Sequence, residues 1–410
     1  MLLTKKLSKF GSKPGLERIA KILAKLGNPE CRMKVIVVTG TNGKGSVVSF
    51  LSSILSADGY KVGSYFSPHL LKYNERFKIN GKDISDLKLR KYEKILLELF
   101  AKKYRMTEFE ALTAIAYKYF ADENCDFAIM EIGMGGRLDA TNIAEECLSI
   151  ITNVDLEHTE YLGDTIEKVA YEKAGVMKKG IAITGAKGVA LEVINSEARK
   201  KQISLFTLNQ DFFGKPAEIN SKKGVFNYVG LDFFNNLEIK LIGRHQIDNA
   251  TLAVAAAEQL GVEEDAIKKG LKKAKNPARL QLVGSGRKTR NARLLIDAAH
   301  NPHGMRELIV NLNLFDYANL ICVFGVMKDK NWKEMLKILA PHCDLLIVNQ
   351  PKGERAANAE DIVKEAKQYV DSVAVKDVKK SLVYAKKKAK KEEDLILVCG
   401  SIYMIGELLG

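Results

Sequence analysis

Eight prolines in 410 residues, a single tryptophan and no apolar run near the ~18 residues of a bilayer-crossing helix are the scarcities of this chain. So little proline, with 46% hydrophobic residues, excludes a collagen-like or disordered polymer. Cysteine is thin as well. Cys31, Cys125, Cys147, Cys322, Cys343 and Cys399 include no close pair, so neither a zinc-ligand spacing nor a disulfide framework is visible, and reduced thiols are expected. The opening MLLTKKLSKF lacks the apolar core and cleavage site of a signal peptide, so a cytoplasmic location is expected. A dense arginine block is also missing. The 64 basic and 50 acidic side chains leave a net charge of +14 spread over scattered lysines, which permits an anionic nucleic-acid partner without indicating one.

What is present is enough chain for two hydrophobic cores. Apolar runs alternate with helical patterns from the start: Val35 to Gly40, a helix from Lys44 to about Leu55, then Tyr60 to Ser67. This is the β-α-β rhythm of a parallel sheet. Further strands are expected at Phe127 to Gly133, Leu148 to Val154, Ile181 to Thr184 and Ile203 to Leu208, with helices at 86–103 and 108–121. Between 212 and 242 short alternating runs predict a small antiparallel patch. Helical periodicity returns from His245 to Leu260 and from Glu263 to Lys273. The polar stretch from Lys275 to Asn291, with Pro277, Gly284, Gly286, Arg279, Arg287 and Arg290, reads as an interdomain connection. Five evenly spaced apolar runs follow, at Leu294, Leu320, Leu345, Val373 and Leu395, and predict a smaller doubly wound domain. The expected fold class is α/β: a P-loop ATPase-type parallel-sheet domain over 1–280 and a Rossmann-like domain over 281–410.

The strongest local signal is VIVVTGTNGKGS at 35–46, a buried strand running into a glycine-rich turn and a helix. Gly40, Gly43 and Gly45 let backbone N–H groups approach a polyphosphate, Lys44 can reach its terminal phosphates, and Ser46 sits at the helix start, where the dipole favours anions. The spacing departs from G-x-x-x-x-G-K-[ST] by a glycine after the lysine. Elsewhere, Glu131 ends an expected strand before a flexible GMGG turn, where a parallel sheet places ligand groups, although a solvated strand-end carboxylate is the plain rival.

GTNGKGS resembles the phosphate loop of the Mur ligase superfamily, in particular of its folylpolyglutamate synthase and dihydrofolate synthase branch. GLERI at 15–19, SPHLLKYNERF at 67–77, FEALTAIAY at 109–117, EIGMGGRLDATN at 131–142, EKAGV at 172–176, DAAHNP at 297–302, FGVMKDK at 324–330, RAA at 355–357 and GSIYMIGE at 400–407 continue the resemblance in the family's order. It implies an ATP-dependent ligase that joins L-glutamate to the carboxylate of dihydropteroate, of folate, or of both, through an acyl phosphate, releasing ADP and phosphate. Asn74-Glu75-Arg76 looks more like the bifunctional bacterial pattern. Alternatives are another Mur-type ligase acting on a different cofactor or cell-wall acid, or a P-loop ATPase stimulated by nucleic acid.

The resemblance also assigns residues. Thr41, Asn42, Gly43, Lys44, Gly45, Ser46, Asn249, Arg279 and Asp297 are implied in ATP binding, and Ser67, Glu131, His158 and Lys173 at magnesium, with Lys173 as a CO2-derived carbamate. Lys44, His158 and Lys173 are the implied catalytic residues. Glu157 stands where the family more often has aspartate before the histidine. His300, Asn301 and Ser401 are implied to hold the incoming glutamate, and Thr107, Phe109, Glu110, Leu138, Asp139 and Ala140 the pterin. For Thr107 helix capping, and for Phe109 core packing, stand as alternatives. Gly11-Ser12-Lys13-Pro14 departs from the T-I-D-L-like sequence common in bacteria. A monomer with small-molecule substrates, no nucleic acid and no membrane is expected.

Overall fold

The computed structural model describes Leu7 and residues 14–101, 105–283 and 292–410. Gly11 to Lys13, the end of the helix expected at 86–103, and Gly284, Gly286, Arg287 and Arg290 lie outside the described residues. The chain divides into two compact units. One takes the chain to Ala217 with Val225–Lys240 and Gln246–Lys275; the other takes Glu218–Gly224, Leu241–His245 and the chain from Asn276. Among the described residues no helix is long and apolar enough to cross a membrane.

The larger unit is built on eight strands: β1 (Lys34–Thr39), β2 (Val62–Tyr65), β3 (Phe77–Ile79), β4 (Lys82–Asp83), β5 (Phe127–Glu131), β6 (Glu146–Ile151), β7 (Ile181–Thr184) and β8 (Ser204–Thr207). Their order is β4-β3-β2-β5-β1-β6-β7-β8. The central strands are buried along their length, which is why their sequences are continuous apolar runs rather than alternating ones. Helices Lys44–Ala57, Glu108–Asp122 and Gly188–Lys200 connect them, and one core joins Val37, Phe77, Leu112, Phe120, Met130 and Ile194. The β3–β4 hairpin turns on Asn80 and Gly81, both at left-handed φ (46° and 76°). Asn-Gly is the dipeptide such a two-residue turn favours, so this hairpin had a signal in the sequence.

The patch expected between 212 and 242 is a three-stranded sheet of β9 (Phe213–Ile219), β10 (Gly224–Val229) and β11 (Phe233–Ile239), in the order β11-β10-β9. In the smaller unit β12 (Gln281–Val283), β13 (Arg293–Ile296), β14 (Leu320–Phe324), β15 (Leu345–Val348), β16 (Ser372–Ala374) and β17 (Leu395–Cys399) form a sheet ordered β12-β13-β17-β14-β15-β16. Only β12 is antiparallel. It occupies part of the stretch expected to be a plain connection, because three residues are too few to show an alternation. The whole is an α/β protein with a large parallel-sheet unit and a smaller Rossmann-like one.

Helix Glu264–Lys273 lies across the phosphate-loop helix at Gly270. Ser53 Oγ donates to the Gly270 carbonyl at 2.7 Å, and a Cβ on Gly270 would run into the Ile54 backbone, with its nitrogen 2.6 Å away. Backbone cannot yield as a side-chain tip can. Gly270→Ala is expected to lower unfolding free energy by about 1–3 kcal/mol in urea titrations, because the added methyl forces the two helices apart.

Candidate active site

The parallel ladder fixes which loops meet. Val38 pairs with Glu131 on one side and with Ile150 on the other, while Tyr65 of β2 pairs with Met130. The carboxyl ends of β2, β5, β1 and β6 therefore stand side by side, and their loops carry Ser67, Glu131 to Asp139, Gly40 to Ser46, and Thr152 to His158. Ligands of open α/β sheets bind at such ends.

The phosphate loop is held by the loop after β6. Thr41 N donates to the Asn153 carbonyl at 3.0 Å, Asn42 N to Asn153 Oδ1 at 2.8 Å, and Thr152 Oγ1 to the Asn42 carbonyl at 2.5 Å. Thr41 Oγ1 donates to the Asp155 carbonyl and accepts from its N–H. Gly40 has φ 147° and a Cβ there would strike Thr152; Gly43, at φ 86°, lies against Asn249. Both glycines are therefore required by conformation and by space. Lys44 Nζ donates to the Gly40 and Thr41 carbonyls at 2.6 and 3.1 Å, which keeps the ammonium over the loop. Asn249 Nδ2 donates to Gln246 Oε1 at 3.2 Å.

Beside the loop, Ser67 N donates to Glu131 Oε2 at 3.1 Å, bringing a hydroxyl-bearing residue and a buried carboxylate together. Hard oxygen donors of this kind suit a divalent cation such as magnesium. His158, at the exposed start of the short helix Thr159–Leu162, has left-handed backbone (φ 47°). Among the described residues no three histidine, cysteine or acidic side chains cluster as a ready-made metal cage. The implied donor set contains only two of those, Glu131 and His158, so the other donors must be of a different kind.

Lys173 is fully buried, and its Nζ meets Glu157 Oε1 at 2.5 Å. Burial drives the amine down to about 8, opposed by Glu157 and aided by Lys44. For Glu157 burial alone would raise the carboxyl, but Lys173 and Lys44 together outweigh it and hold it below the usual range. Glu157 is thus the partner of Lys173, a role that the sequence did not reveal.

The GGRLDATN turn presses on helix Ile166–Ala174, which carries Lys173. Thr39 Oγ1 donates to the Gly135 carbonyl at 2.5 Å, Arg137 N to the Glu172 carbonyl at 2.9 Å and Asn142 Nδ2 to the Gly175 carbonyl at 3.2 Å. A Cβ on Gly136 would meet the Glu172 and Lys173 carbonyl oxygens at 2.9 and 3.0 Å. Asp139 Oδ2 accepts from Gly133 N and Met134 N, and Oδ1 from Thr141 N and Oγ1. Burial nevertheless leaves its carboxyl raised.

Among the residues implied for the pterin, Thr107 and Glu110 form a capping box: Glu110 N donates to Thr107 Oγ1 at 3.2 Å and Thr107 N to Glu110 Oε2 at 2.7 Å. Arg18 of GLERI pairs with Glu110 at 2.9 Å. Phe109 is half-buried against Gly133 and Tyr65. Leu138 is exposed and Ala140 buried. In the smaller unit, Asp297 accepts from Leu280 N and Ala299 N, both at 2.8 Å; burial raises its carboxyl against the pull of Arg279. His300 Nδ1 contacts the Ala298 carbonyl at 2.9 Å, while Asn301 and Ser401 cap the helices Pro302–Leu312 and Ile402–Leu409. Gly400 N donates to the Ala299 carbonyl at 3.0 Å, so the loops after β13 and β17 adjoin.

A phosphate loop on a parallel sheet, a strand-end carboxylate beside a serine, and a second Rossmann-like unit define a Mur ligase-type enzyme. Residues 38–257 match the Mur ligase middle domain and 278–402 the Mur ligase glutamate ligase domain. The chain belongs to the folylpolyglutamate synthase/dihydrofolate synthase family. It is 34% identical to the dihydrofolate synthase/folylpolyglutamate synthase of Bacillus subtilis, over 98% of this chain and 95% of that protein. It superposes with a TM-score of 0.89 on E. coli FolC in complex with DHPP and ADP (30% identity, 99% and 96% covered). A bifunctional folylpolyglutamate synthase/dihydrofolate synthase with Mn, AMPPNP and L-glutamate bound gives 0.87 (29% identity, 98% and 95% covered).

The Lys173 amine titrates near 10.5 when solvated and about 8 when folded. Between those values the unfolded chain binds more protons, so its contribution to stability rises with pH across that window. Denaturation curves at about pH 8 and about pH 10.5 should show this rise in the native protein and not in Lys173→Met. That variant should also lose about 3–5 kcal/mol near neutral pH, because Glu157 is left as an unpaired buried charge.

Proposed function

We propose that this chain uses ATP to form an amide between L-glutamate and the carboxylate of dihydropteroate, of folate or of its glutamylated forms. The observation that carries this reading is the alignment of four strand ends, which gathers Lys44, the Ser67–Glu131 pair and the Lys173–Glu157 pair on a chain that resembles these synthases along its whole length.

The loop amides of Thr41 to Ser46 and the Lys44 ammonium hold the ATP phosphates. An oxygen of the acceptor carboxylate attacks the γ-phosphorus; the new C–O–P bond forms as the bond to the β-phosphate oxygen breaks, and ADP leaves. The amine of glutamate then attacks the acyl carbon, phosphate departs with its oxygen, and the nitrogen gives up a proton. Catalysis of such a transfer rests on positioning and charge stabilisation, not on an enzyme nucleophile.

Ser67, Glu131 and His158 would hold a divalent cation, Mg²⁺ by its preference for hard oxygen ligands, which supplies charge neutralisation on the phosphates. Lys173 is suited to carbamylation: an amine lowered to about 8 is partly neutral near physiological pH, and the neutral form attacks CO2, releasing one proton. Asn249, Arg279 and Asp297 serve the nucleoside, His300, Asn301 and Ser401 the glutamate. Leu138 and Phe109 offer apolar surface to the pterin, whereas buried Ala140 shapes its surroundings by packing, and Thr107, Glu110 and Asp139 by the hydrogen bonds they accept. In this division of labour 1–280 hold the ATP phosphates and metal, and 281–410 hold glutamate and contribute Asp297 to the nucleoside. Six free thiols fit a reducing cytoplasm, and we assign a monomer with small-molecule substrates and no membrane or nucleic-acid partner.

Purified protein with ATP, Mg²⁺ and glutamate should release ADP only when dihydropteroate or a folate is added, with a product heavier by one or more glutamyl residues in mass analysis. DNA or RNA should give no stimulation. Lys44→Ala should lower kcat by about 100-fold or more, and His300→Ala should raise the KM for glutamate by about 10-fold with the KM for ATP unchanged. ADP release without an acceptor, or without a glutamylated product, overturns the reading.

A further inference from the structure

The NER sequence at 74–76 lies outside the residues assigned above, yet its side chains grip the loop that begins at Ser67. Glu75 accepts four hydrogen bonds from three successive backbone amides: Leu70 N at 2.8 Å, Leu71 N at 3.0 and 3.2 Å, and Lys72 N at 2.9 Å. Arg76, itself buried, donates from Nε to His69 Nδ1 at 2.9 Å, and its carbonyl accepts from Phe66 N at 3.0 Å. Asn74 Nδ2 donates to the Ile84 carbonyl and to Asp86 Oδ1, both at 2.9 Å, which ties the clasp to the start of the next helix.

A surface loop could satisfy these amides with water. A carboxylate that collects three of them removes that freedom, because each charge-assisted bond is stronger than a bond between neutral groups. The same segment is held at its first residue by Ser67 N on Glu131. The loop is therefore fixed at Phe66 and Ser67, at His69 and at Leu70 to Lys72, and the Ser67 hydroxyl is carried between the first two anchors.

We propose that Glu75 and Arg76 are positioning residues that hold the Ser67–Lys72 loop, and through it set the affinity of the Ser67–Glu131 pair for a divalent cation. The proposal rests on the reading of Ser67 as a cation ligand. Neither residue touches the cation; both act by removing the loop's alternatives before the cation arrives. Glu75→Gln keeps the shape and one acceptor oxygen but loses the charge and the second oxygen. Arg76→Lys keeps the charge but loses the Nε–H aimed at His69.

The test uses the full-length chain. Hydrogen exchange without metal or nucleotide is followed at Leu70, Leu71 and Lys72, and Mn²⁺ binding is titrated by the spin-resonance signal of the free ion in the presence of a non-hydrolysable ATP analogue. Glu75→Gln should speed exchange of those three amides by at least 10-fold and raise the Mn²⁺ dissociation constant by at least 5-fold. The kcat at saturating Mn²⁺ should stay within about 3-fold, and amides of β1 and β5 should keep their protection. Arg76→Lys should move both readouts in the same direction. Unchanged exchange at residues 70–72, or faster exchange with an unchanged Mn²⁺ constant, overturns the proposal; so does general loss of protection in β1 and β5 with the conservative variants. Ser67→Ala separates the two readings: weaker Mn²⁺ binding with normal exchange at 70–72 supports the ligand role, and unaltered binding overturns that role whatever the clasp does.

Discussion

The backbone ladder joining β2, β5, β1 and β6 is the constraint on which the site depends. Each of these strands contributes one loop, and the register puts Tyr65 beside Met130, Val38 beside Glu131 and Thr39 beside Ile151. A slip of one residue would reverse which side chains face the core and would also carry Glu131 away from Ser67. With the strand ends level, the loops crowd one another, and crowding explains the glycines. Gly40 admits Thr152, Gly43 admits Asn249, and Gly136 admits the carbonyls that end the Lys173 helix. These positions read at first as a flexible, phosphate-friendly sequence. Several of them are also places where two backbones, or a backbone and a side chain, come too close for a methyl group.

Charge is organised on the same scale. A lone buried ammonium costs several kcal/mol, and a well-made ion pair offsets that cost without necessarily giving a surplus. Lys173 and Glu157 meet this condition at 2.5 Å, so the pair is better understood as what permits an amine to be buried here than as a source of stability. Lys44 acts on both members, pushing Lys173 toward neutrality and helping to keep Glu157 charged. The Glu157 carboxylate is the group that reaches Lys173.

How much of this was legible in the sequence depends on the range of the signal. The phosphate loop is local: strand, glycines, lysine and helix follow within a dozen residues, and the structure keeps that order. Buried strands are nearly as plain, because a continuous apolar run has few other uses. The Thr107–Glu110 capping box also stood in the sequence as T-x-x-E, a pattern that already accounts for both side chains. What was not legible is long-range. Nothing near Glu157 announces Lys173, sixteen residues on, and nothing in GLERI announces Glu110, ninety-two residues from Arg18. The carboxylate of Asp139 likewise looks available in sequence, and only the fold shows four hydrogen bonds arriving at it. β12 escaped for the opposite reason, being too short to show any period.

The arch around Arg279 in the smaller unit combines both lessons. Ala278 and Leu280 have φ of 57° and 43°, a left-handed region that costs a residue with a Cβ about 1–3 kcal/mol. Two such residues in three persist only where the surroundings over-determine them. Ala278 N donates to Gln281 Oε1, Ala298 N to the Ala278 carbonyl and Leu280 N to Asp297 Oδ2, all at 2.8 to 2.9 Å, and β12 is then zipped to β13. The arch thus fixes the backbone on both sides of Arg279, a residue that is itself half-buried. Asp297 spends one lone pair of each carboxylate oxygen on this task, on Leu280 N and on Ala299 N. The two bonds fall on different oxygens, so both ends of the carboxylate are engaged. One buried acid in this way ties the strained arch to the loop after β13, and the strained backbone persists because that tie leaves it no alternative.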